Sequence, residues 1–236
     1  MIGISTCCLM DESLGEALDR LSEHTCLIEV MDEGLHFADS PELFMSYSAH
    51  FTIHAPFHGM NIASVFEPIR SASVRVMTDC FAVAAEINAP VVLHPGYYAW
   101  ESEREQALYQ FKKSLGELKD AARELSITFS FENMGGLNYF NLRLPDDLAI
   151  IDGAGFTLDV GHAHVNRCLE DFLAAPFSHM HLHDNDGRSD THSPVGEGRI
   201  DFCPVISAMK RQNASAVIEV KSFEGAIESK KILERL

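Results

Sequence analysis

Basic charge is scarce in this sequence: 18 lysines and arginines stand against 35 aspartates and glutamates, a formal net charge of -17. Such a chain repels polyanions at long range, and no basic, aromatic-interleaved patch offers a footprint for nucleic acid. Duplex DNA is therefore not an expected partner, although carboxylates gathered around a cation would inflate the formal charge. No stretch approaches the roughly 18 consecutive apolar residues of a membrane span, and no basic segment followed by an apolar one opens the chain. Neither membrane insertion nor secretion is expected. The six cysteines, Cys7, Cys8, Cys26, Cys80, Cys168 and Cys203, contain no CxxC pair. That excludes a zinc ribbon and a disulfide framework, and reads as the reduced thiols of a cytoplasmic protein. Pro/Gly/Ser-rich linkers and low-complexity runs are missing too, which leaves a single domain over residues 1–236.

What is present is a regular alternation of short β-rich runs with longer amphipathic ones. Eight runs read as strands: Ile2 to Thr6, Cys26 to Val30, Phe51 to His54, Val91 to His94, Ile127 to Glu132, Phe156 to Asp159, His179 to His183 and Ala216 to Val220. Helices are expected over Ser13 to Ser22, Pro68 to Ile87, Ser102 to Leu125, Phe202 to Gln212 and Gly225 to Leu236. In the third, Ala107, Leu108, Phe111, Leu115 and Leu118 recur at spacings of three and four, as in a helix that covers a sheet. Eight βα units in 236 residues predict one (β/α)8 barrel, a fold that uses roughly 200 to 250 residues.

The chemistry collects at the strand ends. Strands three to eight finish on, or just before, His54, His94, Glu132, Asp159, His181 and Glu219. In a barrel the C-terminal strand ends converge on one mouth, so residues distant in sequence become neighbours. Any one of them could be a satisfied core histidine or a buried carboxylate bonded to backbone. Six at equivalent positions argue for a shared divalent cation, because uncompensated buried carboxylates cost several kcal/mol. Mixed imidazole and carboxylate donors suit Zn²⁺ or Mn²⁺. His162, in Asp159-Val160-Gly161-His162, and Asp190 and His192, in the loop from Asp184 to Arg199, join through loops. Period-two alternation puts His179, His181 and His183 on one side of their strand. His181 is the expected ligand, His183 a contact to a ligand or to substrate, and His179 lies deeper. Arg188 and Lys221 are candidates to hold a phosphate or a sugar oxygen. Glu29, with nothing else near it in the pattern, reads as structural.

These residues resemble the xylose isomerase-like superfamily, which holds sugar isomerases and epimerases together with endonuclease IV enzymes. The resemblance spans nearly the whole chain. It rests on Ile53-His54-Ala55-Pro56, Leu93-His94-Pro95-Gly96, Phe131-Glu132-Asn133, Leu158-Asp159-Val160-Gly161-His162-Ala163, Met180-His181-Leu182-His183-Asp184, Asp190-Thr191-His192, Gly196-Glu197-Gly198 and Ile218-Glu219. By that resemblance, His54, His94, Glu132, Asp159, His162, His181, Asp190, His192 and Glu219 hold up to three zinc ions, as in endonuclease IV. The epimerase pattern implies one metal on Glu132, Asp159, His181 and Glu219, with Glu132 and Glu219 as the catalytic carboxylates. The loops that would grip and bend a duplex are not evident. Phe57 matches the position of an aromatic that the endonucleases set against DNA. The reading placed first is a polynuclear metal hydrolase acting on a phosphoester of a small sugar-phosphate or nucleotide-like compound. The second is a mononuclear sugar or sugar-phosphate isomerase or epimerase. An abasic-site DNA endonuclease and a barrel that binds metal without catalysis are further readings.

Overall fold

The computed structural model describes residues 1–236. Its eight strands are β1 (Ile2–Ser5), β2 (Leu27–Met31), β3 (His50–His54), β4 (Val91–Leu93), β5 (Phe129–Glu132), β6 (Gly155–Asp159), β7 (His179–Leu182) and β8 (Ser215–Ile218). All neighbours pair in parallel in sequence order, and β1 closes on β8 through Ile2 with Ala216, Gly3 with Val217 and Ile4 with Ile218. The expected (β/α)8 barrel is therefore what the chain forms. Its helices are α1 (Leu14–Ser22), α2 (Glu67–Glu86), α3 (Arg104–Leu125), α4 (Val160–Val165), α5 (Leu169–Ala174), α6 (Phe202–Gln212) and α7 (Phe223–Leu233). No helix is long and apolar enough to cross a membrane.

Local chemistry sets the boundaries. Ser13 caps α1 in a capping box with Glu16, while Ser126 and Asn213 close α3 and α6 in left-handed conformation at φ 58° and 54°. The segment between β2 and β3 forms only two short 3-10 turns, Gly34–His36 and Phe44–Ser46, in place of a covering α-helix. It contains Asp39-Ser40-Pro41, which interrupts a helix. Conversely α4, a helix of six residues, begins directly on the end of β6.

The strands sort their side chains by alternation. Phe51 and Ile53 of β3, Phe131 of β5, Leu158 of β6 and Met180 and Leu182 of β7 face outward into one apolar layer with Phe81 of α2, Phe111, Leu115 and Leu118 of α3 and Val205 of α6. The alternate positions face the barrel lumen, and most are polar: Glu29, Thr52, His54, Ser130, Glu132, Thr157, Asp159, His179 and His181, all buried, with Val92 and Val217 as apolar members of the same side. A barrel lumen is usually filled by Val, Ile and Leu. Here the outer layer supplies the hydrophobic stabilisation and the lumen is given over to titratable groups. The largest cavity, about 700 Å³, lies at the opposite end of the barrel among strand starts such as Ser130, Gly155 and Ser215, and none of the nine expected ligands lines it. A smaller one of about 300 Å³, lined by Phe57, Met60, Tyr97 and Phe140, opens beside His94.

Candidate metal centre

The nine expected ligands form three adjoining groups at the mouth, and Glu132 connects them. In the first, Glu132 Oε2 lies 3.3 Å from His54 Nε2 and 3.4 Å from His94 Nε2. In the second, His181 Nδ1 lies 3.0 Å from Glu219 Oε2, 3.4 Å from Glu132 Oε2 and 3.8 Å from Asp159 Oδ2. In the third, Asp190 Oδ2 lies 3.0 Å from His162 Nε2 and 3.1 Å from His192 Nε2. Glu132 Oε1 also lies 3.0 Å from His162 Nδ1, so the third group adjoins the others.

These residues fit divalent cations on two grounds. Donors about 2.0 to 2.2 Å from a four-coordinate ion stand roughly 3.3 to 3.6 Å from one another, which is the spacing around Glu132. Moreover, His181 Nδ1, Glu219 Oε2 and Asp190 Oδ1 are buried without a hydrogen-bond partner. Buried polar atoms left unpaired are costly, and a divalent cation bound among these three would satisfy them.

Backbone contacts fix which nitrogen each imidazole offers. Nδ1 of His54 donates to Ala55 O at 3.0 Å, Nδ1 of His162 to Asn133 O at 2.9 Å and Nδ1 of His192 to Glu219 O at 2.9 Å. In each case Nδ1 carries a proton, so it is Nε2 that faces the carboxylates and that would give its lone pair to a cation.

The chain places these side chains through local devices. Asp159 ends β6 and caps α4, its carboxylate accepting from His162 N at 2.6 Å, which sets His162 one turn further on. Asn133 clamps the same corner by accepting from Asp159 N at 2.8 Å and donating to Asp159 O at 3.0 Å. A Cβ at Gly161 would stand 1.9 Å from His183 Cε1, so only glycine leaves room for that ring. Asp184 accepts four backbone N–H bonds, from Asn185, Gly196, Gly198 and Ile200 at 2.8 to 3.1 Å. It thereby folds the strap that presents Asp190 and His192, where His192 takes a left-handed φ of 50°.

Other expectations fall as follows. His183 is fully buried, its Nε2 at 3.1 and 3.2 Å from the two Asp159 oxygens and its ring stacked on His192 at 3.9 Å. It therefore braces two of the expected ligands. Arg188 and Lys221 are exposed, reaching solvent from the loops after β7 and β8. Phe57 packs on His94 with ring centres 4.7 Å apart. His179 lies deeper, with Nε2 3.1 Å from Glu29 Oε2. Glu29, read from sequence as structural, is also 3.1 Å from His181 Nε2 and so touches an expected ligand. Sequence reasoning also passed over the supporting roles of Asn133 and Asp184. Their signals were present in Glu132-Asn133 and His183-Asp184, directly beside ligands.

The family model for the xylose isomerase-like TIM barrel matches residues 42–236. The chain belongs to that family. An uncharacterized protein of Methanocaldococcus jannaschii is 34% identical over 232 residues, covering 94% of this chain and 92% of its own. A probable endonuclease 4 of Mycobacterium bovis is 28% identical over 185 residues, 71% of each chain. Among solved structures, a D-tagatose 3-epimerase-like protein superposes with a TM-score of 0.90 at 30% identity, covering 99% of this chain and 96% of its own. Both branches of the xylose isomerase-like family, sugar epimerase and endonuclease, are thus among the relatives, and this chain is expected to be an enzyme.

Electrostatics of the metal-free centre give a testable consequence. Burial works against a charge on His192, yet Asp190 and Glu219 prevail and push it up to about 9. Burial likewise opposes the Glu219 carboxylate, but His181 and His192 hold it down to about 2. The raised histidine contributes stability that is full below its ordinary 6.5 and fades as pH rises through about 9. The depressed carboxylate contributes stability that is full above 4.5 and fades as pH falls towards 2. Stability of the metal-free chain from this pair should therefore be greatest between about pH 4.5 and 6.5. If His192 is a ligand, a cation taken up at pH 7 would displace its proton. Calorimetric titration with zinc in buffers of different ionisation enthalpy should show at least one proton released per chain. A buffer-independent enthalpy would contradict this account.

Proposed function

We propose that this protein is a polynuclear divalent-metal hydrolase that cleaves a phosphoester of a small sugar-phosphate or nucleotide-like substrate. The observation that carries the reading is the surplus of ligands: His54 and His94 on one side, and His162, Asp190 and His192 on the other, flank a Glu132, Asp159, His181 and Glu219 set that would suffice for one ion. Divalent ions at these groups, zinc foremost and manganese next by donor type, would supply Lewis-acid charge at the phosphoryl oxygens and an acidified water. Glu132 would then hold neighbouring positive centres at fixed separation, and Asp159 and Glu219 would balance their charge. Arg188 and Lys221, both exposed, would be the cations to meet the remaining phosphate or sugar oxygens. The net charge of -17 favours a small substrate over duplex DNA.

The epimerase reading is supported by the similarity to the D-tagatose 3-epimerase-like structure. In it Glu132 and Glu219 exchange a proton with a sugar carbon beside a single ion.

His94→Ala and His192→Ala separate the two. On the hydrolase reading each loses about one zinc per chain by mass spectrometry and abolishes hydrolysis of an activated phosphodiester such as bis(p-nitrophenyl) phosphate. Full metal content in His94→Ala, with epimerisation of a ketose reduced only by the 10- to 100-fold typical of outer contacts, would give the epimerase reading first place.

A further inference from the structure

One buried carboxylate at the mouth is not accounted for by the nine ligands. Glu29 lies fully buried in the lumen, one layer below them, between two histidines of β7. Its Oε2 stands 3.1 Å from His179 Nε2, whose other nitrogen, Nδ1, stands 2.7 Å from Ser215 Oγ. Its Oε1 stands 3.1 Å from His181 Nε2, close but off the alignment of a full hydrogen bond. His181 therefore differs from His54, His162 and His192. Theirs is the Nε2 lone pair that faces the site, with Nδ1 anchored to backbone. In His181 the nitrogen that faces Glu132, Asp159 and Glu219 is Nδ1, and no backbone group anchors the other.

We propose that Glu29 is the positioning residue of the central ion site, keeping the proton of His181 on Nε2 and so turning the Nδ1 lone pair to the cation. A carboxylate has only lone pairs to offer, so both facing imidazole nitrogens must carry protons. His179 then accepts from the Ser215 hydroxyl through Nδ1, which holds Glu29 from below. Ser215 donates to His179, and His179 and His181 both donate to Glu29 between them, which leaves the Nδ1 lone pair of His181 for the ion. A carboxylate behind a ligating imidazole also strengthens that ligand as a base. The proposal rests on the metal-centre part of the reading above and is indifferent to which reaction the centre performs.

The test reads metal and protons rather than turnover. In long-range ¹H–¹⁵N spectra of the zinc-loaded protein, His181 should coordinate through Nδ1 and show a slowly exchanging Nε2–H. His54, His162 and His192 should show the inverse pattern. In Glu29→Gln the negative charge behind His181 is lost whichever way the amide turns, and where its NH2 faces His181 the Nε2 proton is driven off as well. One zinc per chain should then be removed 10- to 100-fold more readily by a competing chelator, while the ion on His162, Asp190 and His192 is retained. Coordination of His181 through Nε2, an unprotonated Nε2, or wild-type retention of every ion in Glu29→Gln would overturn the proposal. Should the variant fail to fold, the spectra of the wild type decide alone. A chain that takes up no zinc at all would instead remove the metal-centre reading itself.

Discussion

Glu132→Ala should strip the centre of at least one ion and reduce metal-dependent turnover by far more than the 10- to 100-fold that outer contacts command. The magnitude follows from the place of the residue in the geometry. Its Oε2 is within 3.4 Å of His54, His94 and His181, and its Oε1 is 3.0 Å from His162, so each ligand group loses a neighbour at once. Burial would raise this carboxyl, yet His181, His162 and His54 hold it well below its ordinary value, so it enters the site as an anion. Removing it leaves the imidazoles with like charges or with unpaired nitrogens, and any cation with fewer balancing charges. Glu132→Gln keeps the shape and removes the charge. It should behave nearly as badly, which separates ligation from packing. Metal content and turnover at wild-type levels in Glu132→Ala would refute the central place of this residue under either enzymatic reading.

Some parts of this molecule were legible before the fold was known, and the reasons are physical. Hydrophobic periodicity announced α3 because its apolar stripe covers the sheet, and α6 was read to the residue, Phe202–Gln212, because Asp201 and Asn213 punctuate its two ends. The convergence of the candidate ligands was legible because barrel topology alone brings strand ends together, so His54, Glu132 and Asp159 become neighbours whatever their side-chain rotamers. What escaped lies one layer away. Glu29 sits on β2, a strand with no ligand of its own, and its role depends on β7 passing opposite it across the lumen, a relation that no spacing in the sequence encodes. The presence of the six-residue α4 was equally hidden. It depends on how the chain leaves a strand end, where capping and crowding outweigh periodicity. Asp184 was hidden for another reason: its partners are backbone N–H groups up to 16 residues away, and backbone donors leave no trace in a sequence.

That last residue carries the second large effect. Asp184→Ala should lower stability by about 4 kcal/mol, since four backbone N–H groups lose a shared acceptor at about 1 kcal/mol or more each. For a domain of this size that corresponds to a fall in Tm of roughly 8 to 16 °C. The loss should be uneven. The barrel strands are held by their own ladder and by the apolar layer beneath the helices, whereas the strap from Asp184 to Ile200 gives four of its backbone N–H bonds to that one buried carboxylate, beside the Asp184–Ser193 bridge and the bonds of Val195 to Ser229 and His192 to Glu219. Amide exchange should therefore accelerate first at Gly196, Gly198 and Ile200, the donors that lose their acceptor. Asp190 and His192 travel on the strap, so the third ligand group should come apart with it, and one ion should be lost even though no ligand has been changed. A small side chain at Gly198 tests the same contact from the other side, because its Cβ would stand 2.2 Å from Asp184 Oδ1. Gly198→Ala should thus reproduce the loss of the third ion with the carboxylate still in place. If Asp184→Ala melts within about 1 °C of the wild type and keeps all its metal, the strap is held by something other than this carboxylate, and the account of how the chain presents Asp190 and His192 fails.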